Sequence, residues 1–175
     1  MSLPAPARAR LCRLLLLAVL AACSTLGAAR AADPAARVFI PYEARELAVT
    51  VAETVVLAKA GDARAQGLLG YFHEYGRGVP QDFVLAAHWY TCAAEASEPT
   101  AQYLLGLLFD KGRGVPPDVI MSYKWLNLAA AGAGRDERDA YSRIRNSVST
   151  KMNGAQIAIA QDLARNWVPK RLPCR

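Results

Sequence analysis

Residues 62–97 and 98–133 are two copies of one pattern: laid over each other, they agree at fourteen of thirty-six positions. Ala65-Gln66 meets Ala101-Gln102, and Leu68-Leu69-Gly70 meets Leu104-Leu105-Gly106. Gly76-Arg77-Gly78-Val79-Pro80 meets Gly112-Arg113-Gly114-Val115-Pro116, and Asp82 falls on Asp118. Trp89 then meets Trp125, and Ala93-Ala94 meets Ala129-Ala130. A unit of this length cannot bury its apolar side alone, so tandem copies stack and share a core. Such chains mostly work by offering a surface to a partner.

Within a unit the spacing predicts helix, tight glycine loop, helix. Ala65, Leu68, Leu69 and Phe72 recur at intervals of three and four, one stripe of a helix over 63–75. Gly76 stands where a helix stops by entering the left-handed region, and Gly78 keeps the loop free of side-chain clashes. Pro80 suits a loop, and Asp82 is an N-cap worth about 1 kcal/mol to a second helix over 83–96. Ala86, Trp89, Tyr90, Ala93 and Ala94 line that helix. The paired alanines permit close helix approach, and the tryptophan fills the space beside them.

The string Ala-Gln-x-Leu-Leu-Gly, then Gly-Arg-Gly-Val-Pro-x-Asp, then Trp-x-x-x-Ala-Ala resembles the Sel-one-like (SLR) repeat, a relative of the tetratricopeptide repeat. The resemblance covers about residues 44–133 and implies an all-α, right-handed α/α solenoid of helical hairpins. Where the family pattern usually has Tyr three residues after the first-helix glycine, this chain has His73 and Phe109. His73 is therefore read as a core aromatic substitute and not as a catalytic base.

The flanks are expected to cap the stack. Residues 44–60 match the second helix of a preceding unit, so 43–61 is expected as an N-terminal capping helix, with Leu57-Ala58 where Ala93-Ala94 stand and Ile40-Pro41-Tyr42 in the register of the missing glycine loop. Repeat one runs over 62–97 and repeat two over 98–133. Residues 134–168 then form a closing helix pair, at 136–149 and 154–167, and 169–175 a basic tail. Asn153 followed by Gln156 is a capping-box start, and Ile157, Ala160, Gln161 and Ala164 continue at helical spacing.

The first residues concern address, not fold. Arg8, Arg10 and Arg13 precede a nine-residue apolar run, Leu14 to Ala22, too short for a membrane span of about twenty residues. Residues 1–22 thus read as a signal peptide. Leu20-Ala21-Ala22-Cys23 resembles a bacterial lipobox, with Cys23 acylated; Ala29-Arg30-Ala31 offers an alternative cleavage after residue 31. Ser24 resembles outer-membrane sorting. Residues 23–42, Ala-rich and interrupted by Pro34 and Pro41, read as a tether. The expectation is an exported, periplasmic protein anchored to the outer membrane.

Export leaves Cys92 and Cys174 in an oxidising compartment where a pair can bridge. Cys92 shares its register with Leu128, so it is read first as a small buried apolar residue, with the bridge as the less favoured alternative. Cys174 would have to reach back over repeat two. No cysteine pair recurs once per repeat.

The formal charge of +6 overstates the basic character of the folded part. Without residues 1–22 there are 18 basic against 15 acidic residues. Residues 47–134 hold 6 and 8, residues 135–175 hold 9 and 4, so the solenoid is near neutral and its C-terminal end basic. Arg135, Arg138, Arg143 and Arg145 read as a solvated face. A nucleic-acid partner is excluded by the export signal.

Catalytic constellations do not emerge. His73 and His88 are the only histidines, and His88 aligns with Lys124 at a position expected to face water. No haem attachment, metal-ligand pair, nucleotide loop or nucleophile elbow is present, and Gly76-Arg77-Gly78 is loop chemistry. No catalysis, no metal and no cofactor are expected. The reading is a cell-envelope adaptor for a protein or peptide, membrane-associated through Cys23. Its rivals are an enzyme or ligand-binding protein of cell-wall turnover, β-lactam binding included, and a structural assembly factor of an envelope complex.

The expected binding face lies on the first helix of each unit. With Gln66, Leu69, Gly70 and His73 facing the core, 100° per residue places Arg64, Tyr71 and Tyr75 opposite, flanked by Gly67 and Glu74. The same arc in repeat two holds Thr100, Tyr103, Leu107, Asp110 and Lys111. Tetratricopeptide-like stacks present this arc on their concave side, and tyrosine beside charge suits a peptide hot spot.

Overall fold

The computed structural model describes the backbone of residues 34–171 and 174, with side chains from residue 47 onward. Signal peptide, lipobox, Cys23 and the cleavage alternative at residue 31 lie outside the described residues. The chain divides into two compact units, 1–45 and 46–175. Seven helices and no strand occupy the described residues.

Helix α1 spans Pro34–Lys59, so the expected tether is helical from residue 34. Pro34 opens it at a position where a missing N–H costs nothing. The helix runs through Pro41, at a position where an interior proline costs about 3 kcal/mol. The hairpins follow as anticipated: α2 (Ala63–Tyr75) with α3 (Phe83–Glu95), and α4 (Pro99–Lys111) with α5 (Val119–Gly132). Gly76 and Gly112 end α2 and α4 in the left-handed region, at φ 64° and 65°. Asp82 caps α3 by accepting from the Val84 and Leu85 amides, and Asp118 caps α5 through Ile120 and Met121.

What joins the units is finer than apolar burial. Gln66 donates to the Ala58 carbonyl at 3.1 Å, and Gln102 to the Ala94 carbonyl at the same distance. Each glutamine thus ties a repeat to the final turn of the helix before it. A Cβ at Gly70 would stand 2.6 Å from the Tyr90 ring, and one at Gly106 would stand 2.8 Å from Leu126. Only glycine lets the helices of a hairpin approach this closely. Gly78 presses on Leu47 and Val51 of α1, whereas Gly114 presses on the Phe83 carbonyl of α3. Leu47 and Phe83 share a register, so α1 does stand where a preceding second helix would.

The core is aromatic and small. Trp89 packs with Ala58, Ala65, Leu69 and Phe72, and Trp125 with Tyr90, Ala94, Leu105 and Leu108. His73 is half-buried, with Nδ1 enclosed and unbonded. Leu68 departs from its expected core stripe and is 42% exposed.

The closing pair is α6 (Arg135–Ser149) and α7 (Gly154–Arg165). Asn153 and Gln156 form the complete reciprocal capping box. Beyond α7 the chain turns back over repeat one. Trp167 meets Trp125 edge-on and donates its indole N–H to Glu95 at 3.0 Å, and the Lys170 amide donates to the Glu95 carbonyl at 2.7 Å. Cys174 then forms a disulfide with Cys92, with a Cα–Cα distance of 6.2 Å. The bridge, the less favoured reading of Cys92, is the one the structure holds, because the tail docked by Trp167 and Lys170 brings Cys174 back to α3. No described helix is long and apolar enough to cross a membrane.

Candidate partner-binding surface

Helices α2 and α4 are first helices of consecutive repeats, and residues of both line a groove of about 360 Å³. Arg64, Gly67, Leu68 and Tyr71 form one wall; Glu98, Thr100, Ala101 and Leu104 form the other. Leu68 is exposed on one wall, while Leu104 on the other is half-buried against the core. Arg64 and Tyr71 lie where the helical arc placed them. Leu68, Leu104 and Glu98 were not anticipated, because their register in an isolated helix points to the core or the cap. Glu98 also caps α4 by accepting from the Ala101 amide.

Beyond the groove the arc divides. Tyr71 lies 4.6 Å from Tyr75, ring centre to ring centre, with the Arg77 guanidinium 5.9 Å from the Tyr71 ring. Tyr75 is 54% exposed, and the Glu74 charge beside it raises its phenol pKa, with burial adding to the effect. Glu74 itself is not on the open face. Its buried carboxylate accepts the Tyr90 hydroxyl at 2.8 Å inside the hairpin. Burial and that hydrogen bond drive the Tyr90 phenol far above its ordinary pKa. A flanking position in a single helix becomes interior once a neighbouring helix supplies a partner.

In repeat two the closing pair covers part of the corresponding arc, at Tyr103 and Asp110. Tyr103 stacks on Tyr141 of α6 at 4.3 Å, nearly parallel, so it is a packing residue and not a free neighbour of Tyr71 and Tyr75. Leu107 is half-buried and Thr100 exposed. Asp110 is held by Lys151 at 2.6 Å and Lys111 at 3.2 Å. Burial raises its pKa, but the two ammonium groups outweigh this and leave it lowered. Lys111 stays exposed.

The basic closing helix is partly committed to structure. Arg138 donates to the Ala133 carbonyl, and Arg145 to Asn127 and Asn146. Lys124, expected to face water like His88, is buried over the Trp125 ring at 4.1 Å, and desolvation lowers its pKa. His88 is exposed as expected. Trp167 of the returning tail packs on Trp125, next to Lys124.

Stacked helical hairpins with an open groove on the first-helix side define a repeat scaffold. The Sel1 repeat family model matches residues 63–98 and 99–133, and the chain belongs to the Sel1 repeat family. Among solved structures it is similar to a protective antigen of uropathogenic Escherichia coli strains that displays an SLR fold. That likeness has 28% identity and a TM-score of 0.63, over 70% of this chain and 26% of the other. It is also similar to a Sel1 repeat protein from Oxalobacter formigenes, with 37% identity and a TM-score of 0.48, over 51% of this chain and 68% of that one. The chain thus spans about a quarter of the E. coli antigen's length. No curated protein matches it. Sel1 and tetratricopeptide-like repeats generally mediate protein–protein interaction.

Proposed function

We propose that this chain is an exported adaptor of the bacterial cell envelope that binds a segment of a partner protein in the groove between α2 and α4. The observation that carries the reading is the apolar lining of this groove, with exposed Leu68 and half-buried Leu104 beside Tyr71 and Arg64. An apolar slot with one cation and one aromatic rim suits an extended or helical peptide bearing an apolar anchor. Arg64, Tyr71 and Tyr75 contribute as first expected; Lys111 and Leu107 extend the surface toward repeat two.

Export is supported by two independent features: the signal-like first 22 residues and a disulfide of the kind that persists in oxidising compartments. Acylation at Cys23 would hold the protein to the outer membrane. The test of binding is a photo-crosslinking residue at position 68, incorporated in cells with an intact envelope. One specific adduct is expected, lost on Leu104→Glu, with thermal stability retained. Absence of any adduct at position 68, alongside adducts from positions 138 or 143, assigns binding to the basic helix instead. For anchoring, Cys23→Ser is expected to move the protein from membranes to the soluble periplasm; a natural N-terminus at Ala32 would refute lipidation.

A further inference from the structure

One side-chain cluster outside the groove carries chemistry of its own. Contrary to the expectation of no metal-ligand pair, His88 and Cys92 stand four residues apart, one turn along α3, and the returning tail adds Cys174. Their ligand atoms lie within 4.8 Å of one another, and His88 Nε2 is 4.0 Å from Cys92 Sγ. Both cysteines are buried, at 2% and 5% exposure, while His88 opens to solvent. Repeat two has no such cluster, since Lys124 and Leu128 stand at the registers of His88 and Cys92.

Two sulfurs and one imidazole are a zinc donor set. Tetrahedral zinc with Zn–S about 2.3 Å and Zn–N about 2.0 Å sets sulfur–sulfur separations of about 3.8 Å and sulfur–nitrogen separations of about 3.5 Å. The His88–Cys92 separation of 4.0 Å is already close to that spacing. The two sulfurs need only side-chain rotation once the bond between them is broken. The water-facing side of His88 leaves the fourth position for a water molecule.

We propose that the dithiol form of this chain binds one Zn²⁺ through His88, Cys92 and Cys174, and that the disulfide masks this site. The exchange balances. A dithiol reductant gives two electrons and two protons to the Cys92–Cys174 bond and is itself oxidised to a disulfide. Zn²⁺ then displaces the two thiol protons to solvent and takes neutral His88 as its third protein ligand. In either state the tail stays tied to α3, by a sulfur–sulfur bond or through the metal. The site therefore conserves the fold while reporting the redox condition of its surroundings.

The test uses the folded chain, oxidised or reduced anaerobically with a dithiol that is then removed, titrated with Zn²⁺ against a chromophoric chelator. One Zn²⁺ per reduced chain and none per oxidised chain is expected. Co²⁺ in place of Zn²⁺ should give a thiolate-to-metal charge-transfer band. His88→Ala, at an exposed position, should keep the helical spectrum and weaken binding by about tenfold or more. Cys174→Ser should abolish the one-to-one complex. Equal affinity in His88→Ala removes the histidine from the site and overturns the proposal. So does a reduced chain that takes up no zinc, whether or not it keeps its helical spectrum.

Discussion

The two repeats agree at fourteen of thirty-six residues, yet they meet different surroundings and do different work. The first-helix arc of repeat one borders an open groove with Leu68 and Tyr71 on its wall. The corresponding arc of repeat two is partly covered by the closing pair, with Tyr103 on Tyr141 and Asp110 on Lys151, while Thr100 and Lys111 stay exposed. The second helices differ as well: in repeat one the helix carries a disulfide and an exposed histidine, while in repeat two it is overlaid at Trp125 and Lys124. The repeat motif sets the hairpin; the neighbour on each side sets what the hairpin exposes.

The strongest way to break this comparison is at the loop glycines. Gly114 has φ 68°, and any Cβ there would overlap the Phe83 carbonyl, a backbone atom that cannot swing aside. At Gly78 the obstacles are the Leu47 and Val51 side chains at 2.9 Å. Gly114→Ala should cost about 3 kcal/mol or more, and Gly78→Ala less, by urea denaturation. Equal costs would show that both loops pack on equivalent, yielding surfaces.

Next is the tail. Cys174→Ser removes the bridge that closes 82 residues of chain and should lower stability by about 2–4 kcal/mol under oxidising conditions. Reductant should lower the wild type by a similar amount without zinc and leave the variant unchanged.

The tyrosines then separate packing from exposure. Tyr103→Ala removes a stacked, covered ring and should cost about 2 kcal/mol in a thermal melt; Tyr71→Ala should cost about 1 kcal/mol. The reverse order would mean that repeat one carries the covered face.

The ion pairs at Asp110 give a smaller, pH-dependent effect. Its folded pKa is lowered, so the contribution is present above the unfolded value near 3.8 and is lost as pH falls through the folded one. Since both lysines are largely exposed, about 0.5–1 kcal/mol is expected. Asp110→Asn should remove that much of the stability lost between neutral pH and the acid side of 3.8, read from denaturant midpoints across that range.

The smallest change is at Ser97, which has φ 68° at the register of Gly61 and is the one described non-glycine residue in that region. Ser97→Gly should be stabilising by about 0.5 kcal/mol, because glycine meets no Cβ penalty there.

Within the hairpins, helix boundaries, caps and loop conformations were legible in the residues because each is decided within four or five positions; the start of α1 at Pro34 was not. Asp82 reaches the amides of Val84 and Leu85, Gly76 turns its own φ positive, and Asn153 meets Gln156. The binding arc was legible at Arg64, Tyr71 and Tyr75 for the same reason: helical periodicity fixes direction relative to the core. It failed at Glu74, Tyr103, Leu68 and Lys124. Each of these has its exposure set by a segment that the local pattern does not contain.

Sequence by itself therefore determined that the chain is a stack of helical hairpins, where each hairpin starts and stops, and that α1 replaces a second helix. Tertiary structure alone decided which repeat keeps its first-helix face open, that Glu74 turns inward to Tyr90, and that Cys174 reaches Cys92 across 82 residues. The physical reason is range. Backbone dihedrals, caps and periodicity act over a few residues, whereas burial, pairing and desolvation depend on which distant surfaces meet.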